Sequence, residues 1–186
     1  HEVKILGDGA GFTCKAYGNI MSLLDEENFA TKTDLPDQQY VFYGLFKENT
    51  ALTDASGLLL PAKTLAYGCY QYMFRDCTAL TAAPALPAKT LADYCYAGMF
   101  DCCKALTAAP VLPATKLATS CYSYMFNGCS NLSSVTCRAT EGINANNSTY
   151  EWLGGVAATG TFTAATGTTW PAGANGIPSG WTRKNQ

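Results

Sequence analysis

The chain has a single histidine, and it is residue 1. Without an internal imidazole, the Ser-His-Asp and Cys-His arrangements of nucleophilic catalysis are closed to it. Charge is scarce too. Asp, Glu, Lys and Arg make up 14% of the residues and the net charge is −2, against roughly 25% charged in ordinary soluble domains. That balance argues against a nucleic-acid face, which needs clustered Lys and Arg. No apolar run approaches the roughly 18 residues of a membrane span, and no signal peptide is recognisable. The opening His-Glu, in place of Met, reads as a trimmed or mature form with His1 a tag remnant. Gly7-Asp8-Gly9-Ala10-Gly11 lacks the helix and lysine of a phosphate loop. Cys-x-x-Cys is also missing, so no metal site is expected, and no cofactor is implied.

What the chain does have is a phrase repeated at a 26-residue step. Cys69, Cys95 and Cys121 open its copies, Met73-Phe74, Met99-Phe100 and Met125-Phe126 follow, and Cys77, Cys103 and Cys129 close them. A fixed period in the range of 20–50 residues marks a solenoid, in which each unit buries its apolar face against its neighbours. Six of the nine cysteines therefore stand in register. They read as two columns of small buried hydrophobes, as free Cys is among the most buried residue types. Disulfides between adjacent coils stay geometrically possible at a strand spacing of about 4.8 Å.

Leu91, Cys95, Met99 and Cys103 are spaced four apart with Tyr96 and Phe100 beside them. Side chains at i and i+4 share a helix face, so Thr90 to about Cys103 is expected to be a helix. The following Leu106-Thr107-Ala108-Ala109-Pro110-Val111-Leu112-Pro113 is expected to be a short strand, with Leu106, Ala109 and Val111 inward and Cys137 in the Val111 position of the next unit. The fold class expected is α/β: a right-handed solenoid of short parallel strands plus helices, about four coils long, with caps. Residues 1–40 form the N-terminal cap, 41–137 the repeats and 138–186 a C-terminal cap with β-rich turns. Within the caps, Val3 to Leu6 suggests a strand ended by Gly7. Gly18-Asn19 before Ile20 and Met21 suggests a capped helical turn or a buried strand. Thr161-Phe162-Thr163 has strand alternation, and Trp152, Phe162, Trp170 and Trp181 are placed to close the last coil.

The Cys-Tyr-x-x-Met-Phe-x-x-Cys-x-x-Leu phrase at 95–106, with its sisters at 69–80 and 121–132, resembles the BspA-like leucine-rich-repeat surface proteins of Bacteroidetes. The Ala-Pro-x-Leu-Pro-Ala segments at 83–88 and 109–114 and the closing Gly-Ile-Pro-Ser-Gly-Trp at 176–181 fit as well. The likeness runs over residues 41–181, with a longer unit and smaller strand residues than the family uses. It implies a leucine-rich-repeat solenoid, exported and surface-attached, and for some members adhesion to host or bacterial proteins.

The function expected is thus a non-enzymatic cell-surface recognition or adhesion module, extracellular, monomeric, and binding a protein or glycan. Candidate binding residues are Tyr43, Tyr67, Tyr72, Tyr94 and Tyr124 on the helix side and Thr81, Thr107 and Ser133 on the concave strand side. Tyr70, Tyr96 and Tyr122 align with Phe42 and read as core. A structural spacer in a larger surface protein is the competing reading. A glycoside hydrolase would need paired carboxylates; Asp54, Asp76, Asp93 and Asp101 are available but occupy variable positions that read as solvated helix surface. Cys102, beside Cys103, is the odd thiol of the pair. No catalytic residue is assigned.

Overall fold

A computed structural model describes residues 4–7 and 13–186. His1, Val3 and the Asp8-Gly9-Ala10-Gly11 part of the glycine-rich segment lie outside the described residues. Among the described residues, six strands form two sheets. In the first, β1 (Lys4–Gly7) pairs antiparallel with β2 (Cys14–Asn19), which runs parallel to β3 (Leu52–Leu59). In the second, β4 (Ser134–Cys137), β5 (Gly160–Ala164) and β6 (Trp181–Asn185) are all parallel. Two short 3-10 turns, Ile20–Leu23 and Ala145–Asn147, are the helical elements among the described residues.

The expected α/β leucine-rich-repeat solenoid is therefore not what the chain forms. The segments read as helices, Thr90 to Cys103 and its sisters, are not α-helical. Each is a ribbon of overlapping β-turns. Alternate residues close turns on the carbonyl three back: Gln71 N–H donates to Gly68 O, Met73 to Tyr70 and Arg75 to Tyr72, all at 3.1–3.3 Å. The intervening residues donate outward, to the next copy of the phrase. Gly68, Tyr70, Tyr72, Phe74 and Asp76 bond the carbonyls of Asp93, Cys95, Ala97, Met99 and Asp101 at 2.8–3.0 Å. The same five-bond ladder joins 40–49 to 66–77, 92–103 to 118–129, and 118–129 to 146–155. Five ribbons are thus stacked as tiers.

The difference has a physical source. An α-helix advances about 100° per residue, so a strict four-residue stripe drifts by roughly 40° at each step. The turn ribbon repeats at four residues with no drift, and it buries two residues in four. Cys95-Tyr96 and Met99-Phe100 face inward with Cys103, all at 2% exposure or less. Every fourth residue takes a left-handed backbone: Tyr94, Gly98 and Cys102 have φ of 58°, 59° and 61°. For an L-residue that conformation costs on the order of 1–2 kcal/mol, and it persists because both turn and ladder bonds hold it.

The tiers share one core. Phe46, Phe74, Phe100 and Phe126 stack face to face with centroids 5.2–5.5 Å apart and planes within 6°. Phe42, Tyr70, Tyr96, Tyr122, Trp152 and Trp170 form a second stack. Phe162 closes the C-terminal end edge-on to both Trp152 and Trp170. All nine cysteines are free thiols. The Sγ of Cys77, Cys103 and Cys129 each donate to the carbonyl of a Phe one tier back, Phe46, Phe74 and Phe100, at 3.0–3.1 Å. At the N-terminal end, Asn19 Oδ1 caps the first 3-10 turn by accepting from Met21 N–H at 3.0 Å. That places Ile20 and Met21 in the core.

The return segments are also less regular than expected. Between the tiers and the sheets, single parallel bridges such as Asp54 to Ala82 and Ala108 to Ser134 replace a continuous strand. Val111 is 48% exposed and Leu112 fully buried. Cys137 pairs with Leu112, not with Val111, because a one-residue register slip exchanges the two faces of an extended segment.

Candidate functional site

The ribbon carries its outward side chains in rows, and tyrosine fills two of them. Tyr40, Tyr67 and Tyr94 lie on successive tiers, with Tyr40–Tyr67 centroids 5.2 Å and Tyr67–Tyr94 centroids 5.3 Å apart. Tyr40 also meets Tyr43 edge-on at 5.9 Å, and Tyr43 meets Tyr72 edge-on at 5.6 Å. Five rings therefore form one continuous chain, Tyr72–Tyr43–Tyr40–Tyr67–Tyr94. Tyr40, Tyr43 and Tyr67 are exposed, and Tyr72 and Tyr94 are half-buried. Arg75 lies with its guanidinium carbon 5.3 Å from the Tyr72 centroid, a cation–π contact that fixes one end of the row.

Glycines give the rings their seats. The Tyr40 ring covers Gly68, where a Cβ would lie 2.6 Å from Tyr40 Cε1. A hydroxyl hydrogen bond to Tyr40, with partial desolvation, holds the Tyr67 phenol above its ordinary value. Further along, Tyr124 meets Tyr150 edge-on at 5.3 Å. Partial desolvation, then the bond to Tyr150, raises the Tyr124 phenol.

Of the candidate residues, Tyr43, Tyr67, Tyr72 and Tyr94 are brought together. Tyr124 pairs with Tyr150 instead. Thr81, Thr107 and Ser133 lie elsewhere, and among the described residues no hydrogen bond or ring contact joins them to the tyrosines. All three are exposed, but they serve the stacking: Thr81 Oγ1 donates to Thr53 O at 2.9 Å and Ser133 N–H to Thr107 O at 3.0 Å. The sequence reading misses Tyr40 and Tyr150. Tyr40, Tyr67 and Tyr94 follow one another at a 27-residue step, a signal that the irregular first repeat conceals.

The carboxylates are engaged locally. Asp54 pairs with Lys15 at 3.7 Å and accepts from Ser56, and Asp93 accepts the Thr119 N–H at 3.0 Å. Asp101, read from sequence as solvated surface, is in fact buried. Arg75 Nε lies 3.3 Å from it and 3.3 Å from Asp76. Burial pushes the Asp101 carboxyl up while Arg75 pulls it down. Cys102 is half-buried, its thiol raised by burial and then by Asp101.

A second concavity, of about 500 Å³, lies on the return side between Ala85, Pro87, Pro110, Val111 and Pro113. No helix among the described residues is long and apolar enough to cross a membrane. No protein-family model, curated protein or solved structure matches this chain.

Proposed function

We propose that the chain is a non-enzymatic recognition module of a cell surface, binding a protein or glycan through the tyrosine row. The observation that carries this reading is the continuity of Tyr72, Tyr43, Tyr40, Tyr67 and Tyr94 on one outward face. Tyrosine offers large, rigid, amphipathic contact area at little conformational cost, and it is enriched where proteins bind each other. The extracellular setting and the adhesive role come from the resemblance to surface proteins and belong to the same proposal.

A spacer role is the second reading. It is favoured by the small, uniform Thr81, Thr107 and Ser133 surface, which lacks the Trp, Tyr and Arg of binding hot spots. A glycan array together with immobilised matrix proteins separates the two. Recognition predicts at least one saturable ligand whose affinity falls about ten-fold or more in Tyr40→Ala/Tyr43→Ala, with the fold retained by circular dichroism. Absence of any ligand tighter than millimolar, or a ligand indifferent to that double substitution, would leave the spacer reading standing.

A further inference from the structure

At one corner of the stack, each tier makes a rung to the next from the N–H of a leucine. Leu35 N–H donates to Thr64 O at 3.0 Å, Leu65 to Thr90 O at 3.1 Å and Leu117 to Glu141 O at 3.1 Å. The rung expected between them, from Leu91 N–H to the Lys116 carbonyl, is missing: among the described residues neither group has a backbone hydrogen-bond partner. The sequence at this corner also differs. The corner reads Pro-Ala-Lys-Thr-Leu at 61–65 and 87–91, but Pro-Ala-Thr-Lys-Leu at 113–117.

The broken rung opens into a cavity of about 270 Å³ lined by Lys89, Thr90, Leu91, Lys116, Leu117 and Ala118. Its two lysines have no ion pair among the described residues, and Lys63 stands exposed one tier further on. Nearby acids do not neutralise it. Asp93 keeps its charge while accepting the Thr119 N–H, but neither Asp93 nor Glu141 is among the residues lining the cavity. An unpaired backbone donor at a cavity lined by two exposed lysines and two leucines offers the chemistry of an oxyanion site.

We infer that this cavity binds a single oxyanion group, a sulfate or carboxylate carried by an acidic saccharide. The Leu91 N–H caps one oxygen, and Lys89 and Lys116 supply the charge. The site lies apart from the tyrosine row and rests on the recognition reading only for the source of its ligand.

The test uses the whole chain labelled with nitrogen-15. Inorganic sulfate, a sulfated hexasaccharide and an oligogalacturonate are titrated separately, following the Leu91 amide. Saturable movement of that amide is expected, tightest for whichever saccharide carries the preferred group, and the affinity should fall with salt. The decisive variant is Thr115→Lys/Lys116→Thr. It keeps the charge but moves it from a residue that lines the cavity to one that does not, so affinity should drop about ten-fold or more. Lys89→Gln should weaken binding several-fold without altering the fold. A Leu91 amide that does not move with any of the three probes would overturn the site, as would equal affinity in the Lys/Thr exchange, which would mean diffuse charge alone. Ligands of the tyrosine row should bind the exchange variant unchanged, so the two sites fail independently.

Discussion

Tyr72 lays its ring directly over Gly98 on the next tier, leaving no room there for a Cβ. Gly98 also has φ of 59°. Gly98→Ala therefore meets two costs, a left-handed backbone and a displaced ring. Together they should lower stability by about 2–3 kcal/mol. Urea unfolding measures it. In Tyr72→Ala/Gly98→Ala the steric part should vanish, recovering about half the loss.

The buried thiols predict alkaline sensitivity. Burial pushes Cys69, Cys77, Cys121 and Cys137 up to about 12 from an ordinary value near 9.0, and holds Cys95, Cys103 and Cys129 well above it. Between those values the unfolded chain has lost these protons and the folded chain keeps them. Stability is thus full below about pH 9 and falls as pH rises toward about 12, by about 1.4 kcal/mol per pH unit for each thiol. Cooperative loss of near-ultraviolet circular dichroism above about pH 9 is expected. Cys→Ala at two columns should move the midpoint upward relative to the stability measured at neutral pH.

Two buried hydroxyls, those of Tyr70 and Tyr96, have no hydrogen-bond partner among the described residues. Leaving such a group unsatisfied costs about 1–3 kcal/mol. Tyr96→Phe keeps the ring stack and removes the orphan, so it should be neutral to stabilising by about 1 kcal/mol, read as an unchanged or raised Tm. A destabilised variant would reveal a partner for that hydroxyl.

One column position behaves differently at its end. Met73, Met99 and Met125 are fully buried, yet Leu45, their counterpart on the first tier, is 42% exposed. Among the described residues, no backbone donor reaches the carbonyls of Val41, Tyr43, Leu45 and Lys47, the acceptors that interior tiers use. Met99→Ala should cost about 2–5 kcal/mol, whereas Leu45→Ala should stay within about 1 kcal/mol. Equal losses in denaturant titration would mean the first tier is covered like the others.

Much of the buried set was legible from register alone. Cys69, Cys95 and Cys121 recur with their Tyr neighbours and with Met-Phe, and a residue type repeated at a fixed step has a fixed environment whatever the backbone does. The aromatic closure by Trp152, Phe162 and Trp170 was legible too, because a stack of tiers needs a covered end, as was the β5 alternation. The backbone was not. A four-residue apolar stripe fits both a helix and a turn ribbon, and the ribbon is stable only when neighbouring tiers accept its outward N–H groups. No single repeat contains that information.

The tyrosine row divides in the same way. Tyr67, Tyr72, Tyr94 and Tyr124 stand at positions the core does not use, which marks them as surface in the sequence. That Tyr40 joins Tyr43 to Tyr67 while Tyr124 turns to Tyr150 depends on which tiers touch and where Gly68 and Gly98 leave space. The sequence by itself determined which side chains share a column, because periodicity is a property of order along the chain. Only the tertiary structure decided the ribbon, the ring contacts and the missing rung at Leu91, because each depends on hydrogen bonds or contacts between neighbouring tiers, residues far apart along the chain.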